Sequence, residues 1–337
     1  MTRPRRALPS TRHSTRSASL PVAGPVAVLV AALLATGCSA AATGRASAPA
    51  ASEHVPAGGR PSTTGATGHG SPTAAKAEAR RSPVRVPAGV TAGYVVVDAR
   101  TGKVTAHRLA HHRFRSASVV KILIALDYLE RHKGPIPRRH LALLTPMLRG
   151  SDDDAATALW RLGGQGKIVQ RVARRLKLAD TGPPPAAKPG FWGYTAISAA
   201  DIALVYRYLL GRAEPRVRDF VLGNLRQSWR CASDGFDQHF GIPRAVPRPW
   251  AVKQGWSGFG SVPPVRCTGA GTASSQTETS PKGVAPVDFS RPVLHTTGVI
   301  GDRLIMVVLT LQPPGASYTN SAKRVTKLAR DLYLSVA

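Results

Sequence analysis

Between residues 93 and 109 the apolar and β-branched positions fall in two short runs, Gly93-Tyr94-Val95-Val96-Val97-Asp98 and Lys103-Val104-Thr105-Ala106-His107-Arg108-Leu109, around Ala99-Arg100-Thr101-Gly102. Two β-rich runs about a short Gly-containing connection predict a hairpin. Residues 118–130 follow with apolar side chains almost all round, the pattern of a central, buried helix. Residues 139–211 carry further helical periodicity, including a helix over 198–210 with Asp201 in its first turn, where the macrodipole favours an acid. A second hairpin is predicted over 292–311 with Gly301-Asp302 at its turn. The final segment sets Ala322, Val325, Leu328, Ala329, Leu332, Tyr333 and Val336 on one helical face. Hairpin, helical middle, hairpin and terminal helix predict an α+β fold, an antiparallel β-sheet flanked by helices with a helical lobe inserted between its strands.

Ahead of this pattern the chain changes character. Residues 1–20 hold five Arg and no acid, and residues 20–35 are uncharged and rich in Val, Ala and Leu, the n-region and h-region of a signal peptide. The stretch is too short and too broken by Pro and Gly for a membrane span, which needs about 20 apolar residues. Ala35-Thr36-Gly37-Cys38 places small residues before a cysteine and resembles a bacterial lipobox, with Ala35 where Leu is usual. The resemblance implies cleavage after residue 37, lipidation of Cys38 and anchoring to the outer face of the cell membrane; an ordinary secretory signal with an incidental Cys is the alternative. Residues 39–86 are Ala, Gly, Ser, Thr and Pro with scattered charges, too poor in apolar side chains to offset the entropy of folding. They predict a disordered tether of roughly 40 Å mean reach. The folded domain is expected over 87–337.

The 337-residue chain carries 46 Lys and Arg against 18 Asp and Glu, a formal charge of +28, which raises nucleic acid as a partner. The basic residues are scattered, none interleaves with aromatics for base stacking, and the N-terminus points to export, so nucleic-acid binding is excluded. A solvated basic surface remains, one that an anionic membrane or cell wall would attract. Cys38 apart, Cys231 and Cys267 are the only cysteines. An even remainder in an oxidising compartment suggests a disulfide, two buried free thiols being the alternative. No C-x-x-C spacing or His/Cys ligand set calls for a metal, and no motif calls for a cofactor.

Lys121 is the one basic residue in the otherwise buried helix of residues 118–130. Burial disfavours an ammonium, and a lysine so placed serves as a base. Ser118 lies three residues earlier on the same face, and serine beside such a lysine is an activated nucleophile pair. Phe114-Arg115-Ser116-Ala117-Ser118-Val119-Val120-Lys121 resembles the start of the active-site helix in class A β-lactamases and penicillin-binding proteins. Gly150-Ser151-Asp152-Asp153 is similar to the family's S-D-N element, with Asp153 in place of Asn. Val252-Lys253-Gln254-Gly255-Trp256 is similar to its K-T-G strand, with Gln254 in place of Thr or Ser. His295-Thr296-Thr297-Gly298-Val299 matches the strand pair that follows.

The resemblance covers residues 93–336 and implies a serine hydrolase or acyltransferase that forms an acyl-serine with β-lactams or D-alanyl peptides. Under it Ser118 attacks, Lys121 takes its proton, Ser151 passes a proton to the leaving nitrogen, and Lys253 supports that relay and binds a substrate carboxylate. The backbone N–H groups of Ser118 and Trp256 form the oxyanion hole, worth ~3 kcal/mol per donor. Asp153, Gln254 and Gly255 line the substrate. Two departures bear on mechanism. A carboxylate at Asp153 would pair with Lys121 and weaken it as a base. The family's hydrolysing members also carry a loop Glu that activates the deacylating water, whereas residues 178–198 contain no Glu and only one acid, Asp180. Slow deacylation is therefore expected, and a binding protein that keeps the pocket without the catalysis is the alternative.

Overall fold

The computed structural model describes residues 84–268 and 287–336. The signal segment 1–38 with its Cys38, and all of the tether but residues 84–86, lie outside the described residues.

Strand β1 (Thr91–Asp98) is paired with β2 (Val104–Arg108) on one side and with β7 (Leu304–Leu311) on the other. Next to β7 lies β6 (Val293–Ile300) and then β5 (Trp250–Ser257), giving a sheet of order β2-β1-β7-β6-β5 with every pair antiparallel. Because side chains alternate across a strand, the nearly unbroken apolar runs of β1 and β7 make sense only if both faces are covered. Val95, Val97, Ile305 and Val307 enter the core shared with the helical lobe, while Tyr94, Val96, Met306 and Val308 pack towards the C-terminal helix. That helix, α8 (Tyr318–Val336), applies Val325, Leu328, Ala329 and Leu332 to the structure at i, i+3, i+4 and i+7, as the pattern predicts. Both predicted hairpins are present. Gly301 and Asp302 have φ of 56° and 51°, the left-handed pair that a type I′ turn needs.

The lobe inserted between β2 and β5 starts from α1 (Lys121–Arg131), whose residues 121–127 are all buried. The region 139–211 resolves into α2 (Arg138–Arg149), α3 (Asp153–Leu162), α4 (Gly166–Leu176) and α5 (Ala199–Gly211), and the lobe continues into α6 (Pro215–Arg226). Ser198 caps α5 by accepting from the Asp201 N–H at 3.2 Å. A short pair, β3 (Phe114–Arg115) with β4 (Ala196–Ile197), ties the segment before Ser118 to the loop after α4. A one-turn helix, α7 (Ile242–Ala245), leads into β5. Among the described residues no helix is long and apolar enough to cross a membrane.

Candidate active site

Ser118 was expected at the first turn of the buried helix. It sits instead in a 3-10 turn, Ala117–Val120, that precedes α1. Ala117 at φ 43° lies in the left-handed region that a residue with a Cβ seldom occupies, and the turn is pinned there by Ser116 N–H donating to Thr195 O at 2.8 Å. β5 presses on the turn from the other side. A side chain at Gly255 would put its Cβ 3.0 Å from Ser116 O and 3.3 Å from Ser118 N, so this approach requires glycine. The backbone N–H of Ser118 is thereby brought against β5, the strand that carries Trp256.

Lys121 is fully buried, and its Nζ lies 2.8 Å from Ser118 Oγ, 2.6 Å from Ser151 O and 2.5 Å from Asp153 Oδ1. Three acceptors match the three N–H bonds of an ammonium; a neutral amine keeps two of them and turns its lone pair to the Ser118 hydroxyl. Ser151 holds φ 58°, a second left-handed residue at the centre. It does not cap α3. Asp152 does so, accepting from Ala155 N–H at 2.8 Å, which leaves the Ser151 hydroxyl to Lys253 Nζ at 2.5 Å. Burial first, and then the charge of Lys121, push the Lys253 ammonium well below the ordinary lysine range, against the pull of Asp153 and Asp234. Below Lys253, Thr297 Oγ1 donates to Lys253 O at 2.7 Å and meets Tyr206 Oη at 2.9 Å, so the strand position is held from inside the sheet.

Gln254 is buried and its Nε2 donates to Phe240 O, so the amide is spent on the segment leading into β5. Asp153 remains partly exposed at 29% of its side chain and Trp256 is half-buried. The structure thus brings Ser118, Lys121, Ser151, Asp153 and Lys253 into one hydrogen-bonded group, with Gly255 touching it through the backbone. Cys231 and Cys267 form a disulfide with a Cα separation of 5.4 Å.

One ionisable group of this cluster escaped the sequence reading. Asp234 stands on the loop closed by the disulfide and accepts from Trp256 Nε1 at 3.0 Å and from Phe236 N–H at 3.1 Å. Asp-Gly after a cysteine reads as turn chemistry, and nothing local distinguishes it. Burial raises its carboxyl from 3.8 to about 6, with the Asp153 charge adding to the rise and Lys121 opposing it. A carboxyl raised on folding holds its proton longer in the native state, so stability falls as pH climbs from 3.8 to about 6. Asp234→Asn is expected to be more favourable at pH 7.5 than at pH 4, the two effects differing by on the order of 2–3 kcal/mol. Urea denaturation at both pH values measures this, and equal effects would rule out the shift.

The segment 178–198, which holds no Glu, carries Trp192 in a short 3-10 turn ahead of β4. The Trp192 ring lies 4.5 Å from Lys121 Nζ, and its Nε1 donates to Thr157 Oγ1 at 3.1 Å. Asp180 faces elsewhere: its Oδ2 meets His111 Nδ1 at 2.8 Å, and its N–H donates to Asp201. Among the described residues no group of three or more His, Cys, Asp and Glu is placed to hold a metal ion.

No family model and no curated protein matches the sequence. Solved structures do match. A class A beta-lactamase from Mycobacterium abscessus aligns with a TM-score of 0.51 at 17% identity, over 73% of this chain and 94% of that one. A beta lactamase from Xanthomonas campestris aligns at 0.52 and 16% identity, over 74% and 93%. PBP-A aligns at 0.52 and 14% identity, over 75% and 92%, and a mutant of it described as an acyl-enzyme complex with penicillin G is also similar. The five-stranded antiparallel sheet with its inserted helical lobe is the fold of the class A β-lactamases and PBP-A.

Proposed function

We propose that the protein is an exported, lipid-anchored serine hydrolase or acyltransferase that forms an acyl-serine on Ser118 with β-lactams or D-alanyl peptides. The observation that carries this reading is the chain of contacts running from Ser118 Oγ to Lys121 Nζ at 2.8 Å, from Lys121 to Ser151 O at 2.6 Å, and from Ser151 Oγ to Lys253 Nζ at 2.5 Å. Lys121 takes the proton as Ser118 attacks the acyl carbonyl. The developing oxyanion is received by the backbone N–H groups of Ser118 and Trp256. Ser151 donates to the leaving nitrogen. Lys253, a stronger acid than a solvated lysine because burial pushes its ammonium down, resupplies that proton.

The test is covalent labelling of purified protein by a fluorescent penicillin. A labelled band that disappears in Ser118→Ala supports the acyl-serine. A second reading, a binding protein without catalysis, is favoured by one observation: the Gln254 amide is turned to Phe240 O. No label and no turnover with several β-lactams and D-alanyl peptides would select it.

Anchoring rests on the small residues before Cys38 and the long polar segment behind it. Cys38→Ala is expected to release the protein from the membrane fraction into the medium; full retention of that variant would remove the lipid anchor.

A further inference from the structure

Ser151 is held in a conformation that its own side chain disfavours. Helix α2 ends at Arg149, and two residues later the backbone reaches φ 58° at Ser151, a left-handed position that after a helix usually falls to glycine. A residue with a Cβ persists there only where its surroundings over-determine it. Glycine would remove the hydroxyl that meets Lys253 Nζ at 2.5 Å, so the turn depends on support from outside.

That support comes from the segment 229–238. The last carbonyls of a helix have no intrahelical donor, and here they are met from a distant part of the chain. Arg149 O accepts from Trp229 N–H at 2.9 Å and from Gln238 Nε2 at 2.8 Å, while Gly150 O accepts from Ser233 N–H at 2.8 Å. Gln238 is 1% exposed, and its Nε2 donates a second time, to Trp229 O at 2.8 Å. Both N–H bonds of one buried amide are thus spent on tying the end of α2 to Trp229. The Trp229 ring closes on the same place: a side chain at Gly150 would put its Cβ 2.5 Å from Cε3 of the indole and 3.0 Å from Ser233 Oγ. The segment is itself fixed by the disulfide and by Cys267 N–H donating to Gly235 O at 2.8 Å. Ser151 is the next residue along the chain from this clamp.

We propose that Gln238 is a positioning residue for Ser151: by locking Arg149 to Trp229 it holds the Ser151 hydroxyl where it can pass a proton from Lys253 to the leaving nitrogen. This deepens the acyl-serine reading and rests on it. The side-chain amide bonds Arg149 and Trp229 rather than any reacting group, so its effect falls on the step that Ser151 performs. A leaving nitrogen must gain a proton as its bond to the acyl carbon breaks, whereas a thiolate departs with the electron pair and needs none. Loss of the Gln238 amide therefore discriminates between these two kinds of acyl donor.

The test compares Ser118 acylation by a penicillin and by a thioester acyl donor, in the unaltered protein and in Gln238→Met, which keeps the length of the side chain and removes its donors. Intact-mass spectrometry reads the penicillin adduct and first-turnover thiol release reads the thioester, each on protein shown to be folded by its denaturation profile. The penicillin-to-thioester rate ratio is expected to fall about tenfold or more in Gln238→Met. In a Ser151→Ala background the same substitution should slow the penicillin no further, because the group it positions is gone. Trp229→Ala, at a side chain 43% exposed, lifts the ring from Gly150 and is expected to lower the ratio by about threefold; it decides the matter if Gln238→Met does not fold. Rates that fall alike for both donors, or a further loss from Gln238→Met in Ser151→Ala, overturn the positioning role while leaving the acyl-serine intact. Absence of acylation by either donor in the unaltered protein overturns the acyl-serine reading and this inference with it.

Discussion

Mixed with excess β-lactam, the intact protein is expected to gain the mass of one β-lactam on Ser118 and to keep it for many minutes, with little steady-state hydrolysis. The two halves of the reaction make unequal demands. Acylation needs a nucleophile beside a base, a donor for the leaving nitrogen and two backbone N–H groups. Ser118, Lys121, Ser151 and Lys253 are already within hydrogen-bond reach of one another in that order. Deacylation needs a second base to activate water at the acyl carbonyl. The loop that would supply it offers the indole of Trp192, and its one acid, Asp180, is paired with His111. A missing general base costs a factor of about 10² to 10⁴, enough to make the second step limiting. Ser118→Ala should abolish the adduct, and Lys121→Ala should slow its formation by about 10²-fold or more. Time-resolved intact-mass spectrometry beside a hydrolysis assay reads both steps. Rapid multiple turnover would mean that another group activates the water.

Trp192→Glu is expected to shorten the lifetime of that adduct by about 10²-fold and to create measurable turnover. The indole stands over Lys121, its ring 4.5 Å from Nζ. A carboxylate at this position would bring a proton acceptor to the same place and open room for the water. The substitution also removes a large side chain that is 7% exposed and bonded to Thr157, so a loss of about 3–5 kcal/mol in stability is expected. The lifetime must therefore be measured on protein shown to be folded by its denaturation profile. An adduct as long-lived as in the parent, on folded protein, would show that the absent base is not what limits the second step.

Much of the fold could be read directly from the chain. Alternating and continuous apolar runs placed both hairpins, and the period-3.6 face of residues 322–336 placed α8, because burial on one or both sides leaves a periodic trace in the sequence itself. The Ser118–Lys121 pair was legible for the same local reason. Three residues on one turn bring the two side chains together, and a lone lysine in an apolar run stands out against its neighbours. What the chain could not show is whatever depends on groups far apart in sequence. Asp234 was passed over because an Asp-Gly turn looks like any other until its loop is clamped to Arg149, Gly150 and Cys267. The 3-10 turn around Ser118 likewise reflects pressure from β5 at Gly255 and the bond from Ser116 to Thr195, not the propensity of residues 117–120. Local periodicity thus determined the elements, and the candidate nucleophile came from the Ser118–Lys121 spacing together with the resemblance of the motifs around it. Only the tertiary structure decided which charges share the site, because electrostatic coupling acts through space and through burial, and neither is written in sequence neighbours.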